Sequence, residues 1–265
     1  MINLVKDTID NKDIDQLIDW LKTYPKLTKG PRTLELEDKW SDWLGVKYSV
    51  FCNSGSSANL LMLSALKESG YMENNKVVVP SVAWSTDLAP VIQLGMKPIL
   101  CDSNMEDLSV DLEHLERIFK EENPSALMFV SVLGLVPDMD RLEALCMRYD
   151  VALLEDTCES MGCEYKGEKL GTFGMMSTFS TYFGHHISTI EGGFISTDDF
   201  QLYELLLSLR SHGWDRDLSK KTQRNLQKEW NVSEFDAMYT FYYSGYNLRS
   251  TDLQAYIGLS QIDKL

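Results

Sequence analysis

The sequence predicts an α/β domain organised on a largely parallel sheet. Two observations carry that prediction. Short apolar runs of strand length alternate with stretches of helical apolar spacing. Small polar or acidic segments fall directly beyond several of those runs, where a parallel sheet presents its strand ends to a ligand crevice. The 265 residues suffice for one large domain with a substantial core, or one large domain and part of another.

In chain order, Asp13 to Leu21 and Leu34 to Leu44 have helical spacing and are separated by the Lys29-Gly30-Pro31 break. The small polar segment Asn53-Ser54-Gly55-Ser56-Ser57 opens a helix from Ser56 to about Leu66. Val77 to Val79, Pro98 to Leu100, Leu127 to Val130 and Val151 to Leu154 are predicted as buried strands, with helices over Leu112 to Phe119 and Met139 to Tyr149 between them. Segments 177–183 and 193–197 are predicted strands flanking a loop from Gly184 to Gly192. Asp215 to Ser233 is polar and charged and is expected to be a surface insertion. A last helix begins near Thr251 and meets no cap or breaker before Leu265, which leads to the expectation of a truncated chain.

Composition narrows the function classes. Forty acidic and 25 basic residues give a net charge of −15, which disfavours a general nucleic-acid role because phosphate binding requires a basic face. No apolar run has membrane-spanning length, and the start MINLVKDTIDNKD lacks the basic and apolar regions of a signal peptide, so a cytoplasmic location is expected. The five cysteines are odd in number and form no C-x-x-C pair, which indicates neither a disulfide framework nor a zinc site.

Four segments carry candidate chemistry. Asn53 to Asn59 places small residues before a helix, leaving its first amides free for an anion; a plain turn and N-cap is the competing reading. Trp84, just beyond the Val77 strand, is suited to stacking on a flat ring or to filling a core. Leu153-Leu154-Glu155-Asp156 runs from apolar residues into two carboxylates, either of which could face a cation at the sheet's edge or cap a helix. The loop Gly184 to Gly193 holds the pair His185-His186, compatible with proton transfer near neutral pH or with a surface position; nothing nearby completes a metal ligand set.

The order and spacing of these segments, together with Gly245-Tyr246-Asn247-Leu248-Arg249-Ser250-Thr251-Asp252-Leu253-Gln254-Ala255, resemble the DegT/DnrJ/EryC1/StrS sugar aminotransferase family of fold-type I pyridoxal-phosphate (PLP) enzymes. The resemblance covers nearly the whole chain. It implies a three-layer α/β/α large domain with a mostly parallel mixed sheet over residues 31–250. An N-terminal helical segment (1–30) would precede it, and residues 251–265 would begin the helix leading to a C-terminal small domain missing here.

By the same pattern, Ser56, Ser57 and Ser180 hold the cofactor phosphate and Trp84 stacks on the pyridine ring. Asp156 pairs with the ring nitrogen, and Glu159 lies near the cofactor hydroxyl. Asn247 matches a residue that reaches the phosphate of a neighbouring subunit, which implies a homodimer. The departure lies five residues after Ser180, where family aminotransferases carry lysine and this chain carries His185. Histidine cannot form the Schiff base with the cofactor aldehyde, but it can move protons.

This substitution resembles the dehydratase branch of the family, in which the pyridoxamine phosphate (PMP) form removes the C3 hydroxyl of a nucleotide-linked 4-keto-6-deoxy sugar to give a 3,6-dideoxy-4-keto sugar. One kind in that branch acts on CDP-sugars with an iron–sulfur cluster on cysteines after the His loop. This chain has no cysteine from Gln201 onward, so no such cluster is expected. The other kind acts on GDP-4-keto-6-deoxymannose, regenerates PMP with L-glutamate and needs no metal; the wording of the 183–193 loop is similar to it. His212 is a further candidate for the substrate site. An unusual sugar-nucleotide aminotransferase and a non-catalytic sugar-nucleotide-binding relative are the alternatives, the second disfavoured by the intact Trp84, Asp156 and Ser180 positions.

Overall fold

A computed structural model describes residues 5–265. Its nine strands are β1 (Tyr48–Cys52), β2 (Lys76–Pro80), β3 (Lys97–Cys101), β4 (Ala126–Val130), β5 (Ala152–Asp156), β6 (Glu164–Tyr165), β7 (Glu168–Lys169), β8 (Met176–Ser180) and β9 (Gly193–Thr197). Seven of them form one sheet in the order β1-β9-β8-β5-β4-β2-β3, and β6 and β7 form a small hairpin. Only β9 runs against the rest of the large sheet, pairing antiparallel with β1 and β8. The β5–β8, β4–β5, β2–β4 and β2–β3 pairs are parallel. Strands β4, β8 and β9 are buried along their whole length; β4 accordingly appears as a continuous apolar run, whereas β8 and β9 bury serine and threonine beside their apolar residues.

The helices are α1 (Asn11–Leu21), α2 (Pro31–Leu44), α3 (Gly55–Glu68), α4 (Ser85–Gln93), α5 (Leu112–Glu122), α6 (Met139–Tyr149), α7 (Phe200–Arg210), α8 (Lys220–Glu229), α9 (Glu234–Ala237) and α10 (Asp252–Ile262). Strand alternation divides the core. Val50, Val77, Val79, Met128, Leu154 and Ile195 face one way and pack with Leu61, Met62 and Ala65 of α3 and Leu206 of α7. On the other face, Val78, Leu127, Phe129 and Leu153 meet Leu115 and Phe119 of α5 and Leu142 of α6. Phe51, Phe179 and Phe194 continue that face toward α2, where Trp40 stacks on Phe194 with ring centroids 4.2 Å apart. The result is the expected three-layer α/β/α arrangement.

Several expected boundaries shift. The 177–183 strand ends at Ser180, because Tyr182 to Gly184 leave the sheet as an exposed loop. The Asp215 to Ser233 segment is more than a surface insertion: it contains α8, and Leu218 and Leu226 join the core beside α7. A charged helix with one apolar stripe buries that stripe. No described helix is long and apolar enough to cross a membrane.

Candidate active site

The carboxyl ends of β2, β4, β5 and β8 open onto a cleft of about 410 Å³ whose lining includes Ser56, Trp84, Asp156, Glu159, Ser180 and His185. Six positions singled out in the sequence therefore converge, although Ser56 and His185 are 129 residues apart in the chain (185 − 56).

The helix α3 enters the cleft by its N-terminus. Ser54 caps it, its Oγ accepting from the Ser57 amide at 3.1 Å and donating to Ser57 Oγ at 3.0 Å. The first amides of the helix have no intrahelical acceptor, and the dipole adds partial positive charge there. Gly55 is required by crowding: a Cβ at this position would lie 2.7 Å from Ser180 Cβ and 3.1 Å from Ser180 Oγ. The serine of β8 thus sits directly against the helix start.

Strand alternation separates the two acids of β5. Asp156 points toward α3, where its Oδ2 accepts from Asn59 Nδ2 at 2.7 Å and its Oδ1 from the Cys158 amide at 2.9 Å. Glu155 points to the opposite face and accepts the amides of Gly171, Phe173 and Gly174 at 2.6–2.8 Å. Burial outweighs those three donors and pushes Glu155 up to about 7. Of the two β5 acids, Asp156 faces the cleft, and Glu155 is a structural clamp on the turn before β8.

Trp84 stands at the start of α4 with 70% of its surface exposed, at the cleft margin. Glu159 Oε2 accepts the Leu133 amide at 2.9 Å, which fixes that carboxylate at the cleft wall. His185 is half-buried, and its amide donates to the Tyr182 carbonyl at 3.0 Å in a turn that Gly184 permits beneath the Tyr182 ring. The loop base is closed by Thr181, whose amide donates to Gly192 O at 3.0 Å and whose carbonyl accepts the Thr189 amide at 2.9 Å. Burial lowers the His185 pKa below its ordinary value, opposed by the negative charges of Asp156 and Glu159. The neutral imidazole is favoured near pH 7, the form able to accept a proton. His186 is exposed and does not line the cleft.

Two predicted positions lie elsewhere on the chain. Asn247 lines a second cleft, together with Lys26, Lys29, Arg216 and Arg249, and its Oδ1 accepts from Arg249 Nε at 3.0 Å. His212 is exposed, adopts a positive φ of 67° and donates its amide to Tyr246 O at 2.6 Å; it is not among the residues lining the first cleft. Ser57 sits one residue beyond the lining, held by Ser54. Sequence reasoning missed Asp87 and Asn59 as site residues. Asp87 lines the cleft, is fully buried, and shares with Asp156 the amide of Asn59, at 3.2 Å from its own Oδ1.

Residues 7–265 match the model of the DegT/DnrJ/EryC1/StrS aminotransferase family. The chain belongs to that family. It is 37% identical over its whole length to a GDP-4-keto-6-deoxy-D-mannose 3-dehydratase of Yersinia pseudotuberculosis, covering 68% of that protein. It is 36% identical over 98% of its length to the protein of the same description from Escherichia coli O55:H7, covering 66% of it. The chain thus spans about two thirds of the length of these curated relatives. A crystal structure of GDP-4-keto-6-deoxymannose-3-dehydratase with a trapped PLP–glutamate geminal diamine superposes with a TM-score of 0.88 at 33% identity, over 100% of this chain and 68% of that one. The fold is that of the fold-type I PLP enzymes.

Proposed function

We propose that this chain carries the large-domain part of a PLP/PMP-dependent 3-dehydratase acting on a nucleotide-linked 4-keto-6-deoxy sugar, with GDP-4-keto-6-deoxy-D-mannose as the substrate and L-glutamate as the amino donor. The observation that carries the proposal is His185: a half-buried imidazole stands in the same cleft as Asp156, at the position where family aminotransferases have lysine.

The cleft fits the cofactor on its own chemistry. The α3 N-terminus, Ser56 and Ser180 form an anion cradle in which a single Cβ at Gly55 would not fit, and the carboxylate of Asp156 has no cationic partner among the described residues. Bound PMP would supply an electron sink for a proton removed beside its ring. Asp156 would accept from the protonated ring nitrogen, and Trp84 would cover a ring face. Glu159 would lie toward the cofactor hydroxyl. His185, neutral near pH 7, would take the proton from the cofactor's methylene carbon.

In the same proposal the protein acts in the cytoplasm as a homodimer, with Asn247 reaching the partner's cofactor phosphate from the second, more basic cleft. Residues 31–250 are the cofactor-binding domain, preceded by the segment that carries α1. Residues 251–265 begin the connection to a smaller domain.

The test follows the nitrogen. PLP is added to the protein, then L-glutamate and the GDP-sugar, while absorption and free ammonia are recorded. Glutamate is expected to convert the aldehyde band to the amine band, and the sugar to restore it with release of one ammonia per turnover. Transfer of the glutamate nitrogen into a stable amino sugar would contradict the proposal and establish an aminotransferase.

A further inference from the structure

The end of β5 and the first turn of α4 bring two carboxyl groups onto one side-chain amide. Asp87 and Asp156 lie within hydrogen-bonding reach of each other, and both accept from the same Asn59 amide, at 3.2 and 2.7 Å. Asn59 is an uncharged amide and neutralises neither acid; its oxygen accepts from the hydroxyl of Thr178 at 2.6 Å, which fixes the orientation of its NH2 group toward them. Asp87 Oδ2 is buried and has no other partner. The ionisable groups facing the pair are Glu159 and Cys158 from the turn after β5 and His185 from the loop after β8; none of them is a fixed cation. Among the described residues, neither acid forms an ion pair with lysine or arginine.

Two carboxylates in contact inside a buried site cannot both ionise; one proton between them removes the repulsion and creates a hydrogen bond. We propose that Asp87 holds that proton and donates it to Asp156, making Asp87 a positioning residue for the ring-nitrogen acid. Burial and the neighbouring Asp156 charge act in the same direction, pushing Asp87 up to about 10. The pair then carries a single negative charge. That charge matches one protonated ring nitrogen, and Asp156 Oδ1 and Oδ2 are held in place by the Cys158 amide, the Asn59 amide and the Asp87 hydroxyl. This inference rests on the proposed function only for the identity of the cation; the shared proton is a property of the chain alone.

The sign of the linkage supplies a cofactor-free test. The folded chain keeps a proton that the unfolded chain releases above about pH 4, so the contribution of Asp87 to stability is present at low pH and is lost as pH rises toward 10. Asp87→Asn retains a donor to Asp156 but cannot ionise. Urea unfolding of the wild-type chain and Asp87→Asn is measured from pH 7.5 to 9, and the comparison between the two cancels the titration of groups they share, Glu155 included. The folding equilibrium constant of the wild type is expected to fall relative to the variant by up to about tenfold per pH unit. Parallel profiles would overturn the proposal.

If Asp87→Asn does not fold, infrared spectroscopy of the wild type at pH 8.5 decides the matter: a buried protonated carboxyl band is expected, and its absence overturns the proposal. PLP binding to the same samples separates the two claims. A persisting difference in the stability profiles with no binding by either protein would refute the cofactor reading and leave the shared proton standing. With binding, the protonated-ring absorption is expected to persist in Asp87→Asn to the same pH as in the wild type and to be lost at lower pH in Asp87→Ala.

Discussion

Asn59 bridges α3 to two strands at once: its Nδ2 donates to Asp156 at 2.7 Å and its Oδ1 accepts from Thr178 Oγ1 at 2.6 Å. Both partners are buried, so removing the amide leaves an acceptor and a donor unsatisfied. Asn59→Ala is expected to cost about 1–3 kcal/mol of stability in urea unfolding and to weaken PLP binding, because Asp156 loses an orienting donor. Unchanged affinity in a correctly folded variant would show that Asn59 does not orient the site.

Proton transfer by His185 predicts a definite pH profile. Burial lowers its pKa below 6.5, so turnover should be full near pH 7 and decline as the pH falls through that lowered value, where the imidazole becomes protonated. His185→Asn should abolish dehydration while retaining cofactor, and His186→Asn should preserve it. The reverse pattern would move the role to His186.

The anion cradle depends on close backbone approach. A Cβ on Gly193 would lie 2.5 Å from the carbonyl carbon and oxygen of Ser54, atoms that cannot move without displacing the start of α3. Gly193→Ala is expected to lose about 1–3 kcal/mol of stability and most of the affinity for PLP, measured by unfolding and by absorption titration.

Arg210 is fully buried and pairs with Glu37 at 2.5 Å, while donating to Phe51 O at 2.6 Å. Arg210→Leu should cost about 3–5 kcal/mol, because it strands the Glu37 carboxylate inside the protein. Adding Glu37→Leu should recover part of that loss, and a double-mutant cycle by denaturant unfolding checks the coupling.

Much of this organisation is legible in the sequence, for physical reasons that differ by element. The strands covered on both faces, β2, β4 and β5, appear as continuous apolar runs, and the functional residues cluster just past them because parallel strands share one ligand edge. Helix α4 was not legible: it is short, begins at a tryptophan without a side-chain cap and contains Pro90. Asp87 is hidden with it, since its character arises only when α3, α4 and β5 meet around Asn59. The cap of α2 is equally non-local. Gly30 offers no side chain, and the Asp252 carboxylate, 219 residues from Thr33, accepts the amides of Gly30, Arg32 and Thr33.

A dehydratase whose proton carrier is His185 is tested most directly by the mass of the sugar released from GDP-4-keto-6-deoxymannose in the presence of PLP and L-glutamate. The wild-type chain is predicted to give a sugar that lacks the C3 oxygen and keeps its ketone, and His185→Asn to give none while still binding PLP. An amino sugar from the wild type, or undiminished oxygen loss from His185→Asn, would contradict the account.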